Sequence, residues 1–130
     1  MQDSDEQRAE INRITEKIIG CVHHVSNTLG SGFLEKVYEN ALAIELRKNG
    51  LNVEQQHPIK VFYEHTLVGD FAADLLVENR VIVELKAARA LDEVHSAQCL
   101  NYLKATSLKV CLLINFGRPR VDVKRIVLEF

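Results

Sequence analysis

The chain has 130 residues, enough for one domain with a real core and short for two. Apolar residues make up 47% and charged residues 26%, as in ordinary globular domains, and the net charge of −2 gives no basic field to hold a polyanion. No apolar run approaches membrane-spanning length, the start "MQDSDEQRAEINR" lacks a secretory pattern, and three cysteines without CxxC spacing argue against disulfides or zinc, so a cytoplasmic protein with no membrane partner is expected.

A single domain is expected over 1–130, with the acid-rich residues 1–10 as a frayed extension. Ile11, Ile14, Ile18, Val22, Val25 and Leu29 recur in steps of three and four, predicting an amphipathic helix over 6–29. "GSG" at 30–32 breaks it, and a second helix is predicted from about Phe33 to Asn49, stopped by Gly50. "IKVFYEH", "FAADLLVE" and "RVIVELKA" then read as strands, residues 91–105 as a helix, and "KVCLLINF" and "VDVKRIVLEF" as final strands. This order predicts a single α/β sandwich, a mixed central sheet flanked by helices. Lys104, Lys109, Arg118, Arg120, Lys124 and Arg125 gather in the last third and hint at one basic surface.

"RVIVELKA" starts as a buried strand and then sets Glu84 and Lys86 where the core should continue. If "FAADLLVENRVIVELKA" is a hairpin with a loop of Glu78, Asn79 and Arg80, Val77 faces Val81 and Asp74 faces Glu84. Alternation then places Ala72, Asp74, Leu76, Ile82, Glu84 and Lys86 on one face. Phe71, Ala73, Leu75, Val77, Val81, Val83 and Leu85 fall on an apolar other. Two carboxylates at that separation repel unless a cation lies between them, and hard oxygen donors favour magnesium or manganese. From the strands alone, a structural ion pair of Lys86 with Glu84 or Asp74 is an equal alternative. A two-residue loop would send the two acids to opposite faces.

Other constellations are weaker. His23 and His24 are adjacent and so diverge on a helix, and Cys99 beside His95 lacks a third orienting group for nucleophilic chemistry. "GSG" does not follow a strand and is no phosphate loop.

Asp74 followed after nine residues by Glu84-Leu85-Lys86 resembles the D…ExK core of the PD-(D/E)xK nuclease superfamily. "GFLEKVY" (Gly32 to Tyr38) is similar to the GxxExxY motif of a family of small bacterial proteins assigned to it, and "QCLNY" (Gln98 to Tyr102) to the QxxxY motif of the branch containing bacterial recombination exonucleases. The resemblance runs from about Ile11 onward and implies a restriction-endonuclease-like fold. It implies a Mg2+ or Mn2+ ion held by Asp74, Glu84, the backbone carbonyl of Leu85 and, from the second helix, Glu35. Lys86 would be the catalytic lysine, and Gln98 and Tyr102 would orient it or the substrate. His95, on the same helical stripe, is more simply structural, and Tyr38 is as readily a core aromatic with its hydroxyl satisfied. The implied activity is phosphodiester hydrolysis of nucleic acid, DNA ahead of RNA. A homo-oligomer would help so small a domain surround a duplex. The alternative is a non-catalytic nucleic-acid- or protein-binding module on the same fold.

Overall fold

In the computed structural model, which describes residues 5–130, helix α1 (Asp5–Leu29) buries the predicted stripe of Ile11, Ile14, Ile18, Val22 and Val25. The helix already begins inside the stretch expected to fray. Asp5 and Glu6 suit the positive end of the helix, Glu10 pairs with Arg80, and Arg8 lies 5.9 Å from the Phe130 ring centre. Residues 1–4, the rest of that expected extension, lie outside the described residues.

Gly30 and Gly32 adopt positive φ (72° and 115°), and helix α2 (Glu35–Lys48) starts after an extended Leu34, two residues later than predicted. Among the described residues no helix is long and apolar enough to cross a membrane.

Strands β1 (Val53–Tyr63), β2 (Thr66–Val77), β3 (Val81–Lys86), β4 (Val110–Asn115) and β5 (Asp122–Val127) form one sheet in sequence order. All neighbours are antiparallel except β3 and β4, whose parallel pairing requires a crossover, supplied by helix α3 (Glu93–Thr106). Helices α1 and α2 cover one face over Leu75, Val77, Val81, Val83, Leu85, Leu112 and Ile114. Helix α3 covers the other through Cys99, Tyr102 and Leu103, over Ile59, Ile82, Cys111 and Leu113. With both faces covered, β4 is buried at every position, and each enclosed Leu or Ile contributes about 1.5–3 kcal/mol relative to exposure.

β1 starts six residues before its predicted Ile59, because "VEQQHP" lacks apolar alternation and carries a proline. As an edge strand β1 tolerates Pro58, which pairs with Ala72. The β1–β2 hairpin turns through Glu64 and His65, both at positive φ, and its outer part reaches beyond the last β2–β3 pair, Leu75–Val83.

Just after Lys86 the chain is clamped to the end of β4. The Phe116 N–H donates to the Lys86 carbonyl (2.9 Å). The fully buried Asn115 amide accepts from the N–H groups of Ala88 (3.0 Å) and Gly117 (2.9 Å) and donates to the Ala88 carbonyl (3.0 Å). Gly117 passes so close that a Cβ there would lie 2.3–2.7 Å from backbone atoms of Ala87 and Ala88. Gly117→Ala should therefore lower stability by about 2 kcal/mol in a urea unfolding curve, since only backbone can give way. An unchanged midpoint would show that the two segments separate freely.

Candidate active site

Val77 pairs with Val81 across the three-residue loop 78–80, the register in which Asp74 comes opposite Glu84. The backbone ladder stops one pair short of them, and their side chains replace it. The Asp74 N–H donates to Glu84 Oε2 at 2.7 Å, and the Leu85 N–H donates to Asp74 Oδ2 at 2.8 Å. Each carboxylate thus occupies the place of a backbone carbonyl on the other strand.

On the other side of β2 the ladder also skips this row. Gln56, which would face Asp74, has φ 54°, and its amide donates to Asp74 Oδ1 (3.3 Å) and Glu39 Oε1 (2.9 Å). The simple two-residue alternation fails here. Leu75 and Val77 face α1 and α2, but Ala73 packs on the α3 side and Phe71 lies 5.9 Å from the Tyr102 ring. The expected common face for Phe71, Ala73 and Leu75 is corrected accordingly: both ladders of β2 lapse at the Asp74 row, and the faces change across that break.

Glu84 is only 4% exposed, and Asp74 is half-buried. Burial, followed by the charge of Asp74, pushes the Glu84 carboxyl up to about 8. Burial raises Asp74 as well, opposed by its bonds from Leu85 and Gln56. Glu84 Oε1 accepts no hydrogen bond among the described residues. Since no buried side-chain polar atom there lacks a partner, this oxygen is open to solvent.

Lys86, two residues on along β3, is half-buried and has no carboxylate within ion-pair distance among the described residues. Its charge is felt at Glu84, where it favours the ionised form. The structural ion pair held open by the sequence does not form.

Glu35 stands in the exposed first turn of α2 and reaches Asp74 only through its charge. The acid that α2 sends inward is Glu39, one turn later and 4% exposed. It accepts from Lys36 Nζ (3.1 Å), Gln55 Nε2 (2.8 Å) and Gln56 Nε2 (2.9 Å). Sequence reasoning missed both Glu39 and Gln56. Glu39 shares the stripe of Leu42, Ala43 and Leu46, so an acid on an apolar stripe was the available signal. Tyr38 is a core aromatic: it stacks on Phe116 (4.5 Å), and its hydroxyl donates to the Gly30 carbonyl (2.6 Å), fixing the start of α2 against the end of β4.

On α3, Gln98 Nε2 donates to the Tyr102 hydroxyl (3.0 Å). Burial and the charges of Glu84 and Asp74 push Tyr102 up to about 12, and Glu84, flanked by Val83 and Leu85 of the opposite face, lies on the α3 side of the sheet. His95 closes the N-terminus of α3, its ring accepting from the Asp92 N–H (3.2 Å) while Asp92 accepts from the Val94 and His95 N–H groups. Cys99 is buried core.

Two adjacent carboxylates with raised proton affinity and an open oxygen suit a divalent cation. Among the described residues no three His, Cys, Asp or Glu side chains form a ready cage.

A sequence profile described as the PD-(D/E)XK nuclease superfamily matches residues 12–126. Among solved structures, the crystal structure of SSO0001 superposes with a TM-score of 0.54 at 19% identity, over 72% of this chain and 50% of that one. At that identity the likeness speaks for the fold, and the chain spans half the length of that protein. No curated protein sequence matches.

Proposed function

Because the chain belongs to the PD-(D/E)XK nuclease superfamily, we propose that it hydrolyses phosphodiester bonds of nucleic acid with Mg2+ or Mn2+, DNA ahead of RNA. The observation that carries this reading is the Asp74–Glu84 pair, with Lys86 two residues beyond and no carboxylate in ion-pair distance of it among the described residues. A strand residue points its N–H and C=O the same way. The Leu85 N–H meets Asp74, which supports a Leu85 carbonyl directed to the same side, where the ladder has ended. Asp74, Glu84 and that carbonyl would hold the ion, with Glu35 reaching it through water. A divalent cation bound there would polarise a phosphodiester oxygen and acidify a water.

The chain's own contribution is placement. Gln56, held by Glu39, fixes one oxygen of Asp74 and leaves the carboxylate a single orientation. Lys86, with no carboxylate partner among the described residues, can direct an ammonium proton at the attacking water or at charge growing on the pentacovalent phosphorus. Gln98 and Tyr102 would hold a phosphate or the lysine beside it. The membership and the GxxExxY resemblance support this reading together.

The test is a manganese-dependent cleavage assay on single-stranded, double-stranded and branched DNA and on RNA. Wild type should cut at least one substrate and Glu84→Ala none. No cleavage of any substrate with either metal would leave the non-catalytic binding module as the better account.

A further inference from the structure

Beside the acids, the outer β1–β2 hairpin and α3 enclose an open groove of about 870 Å³, within the range of about 300–1,000 Å³ that bound ligands fill. Three aromatic rings line it: Phe62 (60% exposed), Phe71 (46% exposed) and Tyr102, the last shared with the acid site. Phe71 leans on the buried Tyr102 ring (5.9 Å), while Phe62 stands largely uncovered in the concave wall. The charged residues lining the groove are lysines, Lys60 and Lys104, and Gln98 and Asn101 add amide donors and acceptors. Lys60 leans on Asp70 outside the groove (3.5 Å).

We infer that this groove binds an unpaired, single-stranded stretch of nucleic acid, its bases stacked on Phe62 and Phe71 and its phosphates met by Lys60 and Lys104. The inference rests on the nucleic-acid substrate proposed above. Lys104 has no carboxylate within ion-pair distance among the described residues and Lys60 meets only the exposed Asp70, so both can turn to a polyanion, and aromatic faces accept bases only when those are free of a duplex. Amides can bond the exposed base edges. Tyr102 joins the two regions, so a strand lying in the groove would enter the acid site by its backbone. Phe62 and Lys104 are exposed, so changing them spares the core.

The test is fluorescence anisotropy of a labelled 15-residue oligothymidylate and of a 15-base-pair duplex, without divalent metal so that nothing is cut. The single strand should bind at least tenfold more tightly. Phe62→Ala should weaken it about tenfold, as loss of one stacked base does. Lys104→Ala should lower the slope of log affinity against log salt by about 0.7, the signature of one lost phosphate contact. Equal affinity for the duplex, or single-strand binding indifferent to Phe62, would overturn the inference. So would a wild-type dimer in sedimentation that Phe62→Ala splits, because a second copy would then fill the groove. Cleavage is scored separately. A protein that binds single strands through Phe62 but never cuts loses the nuclease reading alone, and one that cuts equally well as Phe62→Ala loses the groove alone.

Discussion

Lys86→Ala should slow single-turnover cleavage by about 10²–10³-fold while leaving metal binding intact. Lys86 forms no ion pair among the described residues, so its removal strands no buried carboxylate, and the fold should hold. Its charge favours ionised Glu84 but opposes an incoming cation, so the metal-induced rise in Tm should persist or grow. Nucleic-acid affinity should change little, because a group that acts on the transition state contributes little to ground-state binding. Two measurements separate the roles: the cleavage rate at saturating enzyme, and thermal melts with and without manganese. A mutant that cuts as fast as wild type would remove Lys86 from the chemistry. A mutant that melts far lower without metal would restore it as a structural partner of the acids.

The metal-free protein should also lose stability as pH rises from about 4.5 to about 8. Glu84 holds its proton up to about 8 when folded, against 4.5 for an ordinary glutamate, chiefly because burial penalises its charge and Asp74 adds repulsion. Across that window the folded state binds more protons than the unfolded one, so stability is full at the acidic end and declines toward the alkaline end. The loss should be on the order of 2–4 kcal/mol, or roughly 10 °C in Tm. Glu84→Gln should flatten the profile, since its amide oxygen can still accept from the Asp74 N–H. Manganese should restore stability at pH 8 in wild type. In Asp74→Asn that restoration should vanish, while the metal-free mutant stays as stable as wild type or becomes more so. A flat metal-free profile would mean that the acids are better compensated than their surroundings imply.

The hairpin register was legible only as one of two choices: Glu78, Asn79 and Arg80 suit a loop with valines on either side, a two-residue loop was open beside it, and the Val77–Val81 pair decides for the first. That alone brought Asp74 to Glu84, and Lys86 followed from its place on the same strand. The faces beyond Asp74 were not legible. Alternation assumes a continuous ladder, and the left-handed Gln56 that breaks it belongs to a strand whose polar opening gave no warning. Glu39 was hidden for a different reason: its burial depends on Gln55 and Gln56 arriving from a strand fifteen or more residues away. His95 and Tyr38 went to capping and packing, roles that local sequence could suggest without choosing.

The interrupted row through Gln56, Asp74 and Glu84 also works as a crease. From Leu75–Val83 to Val77–Val81 backbone pairing ties β2 to β3, but along this row most of the ties end on side chains, which swivel. The outer hairpin can therefore tilt about the crease as a small paddle without unzipping any strand. Such a tilt would change the width of the groove and, since Asp74 sits on the fold line, the gap between the two acids. A strand gripped by the paddle and an ion gripped by the acids would each favour the same tilt, so that loading and assembly of the site become one mechanical event.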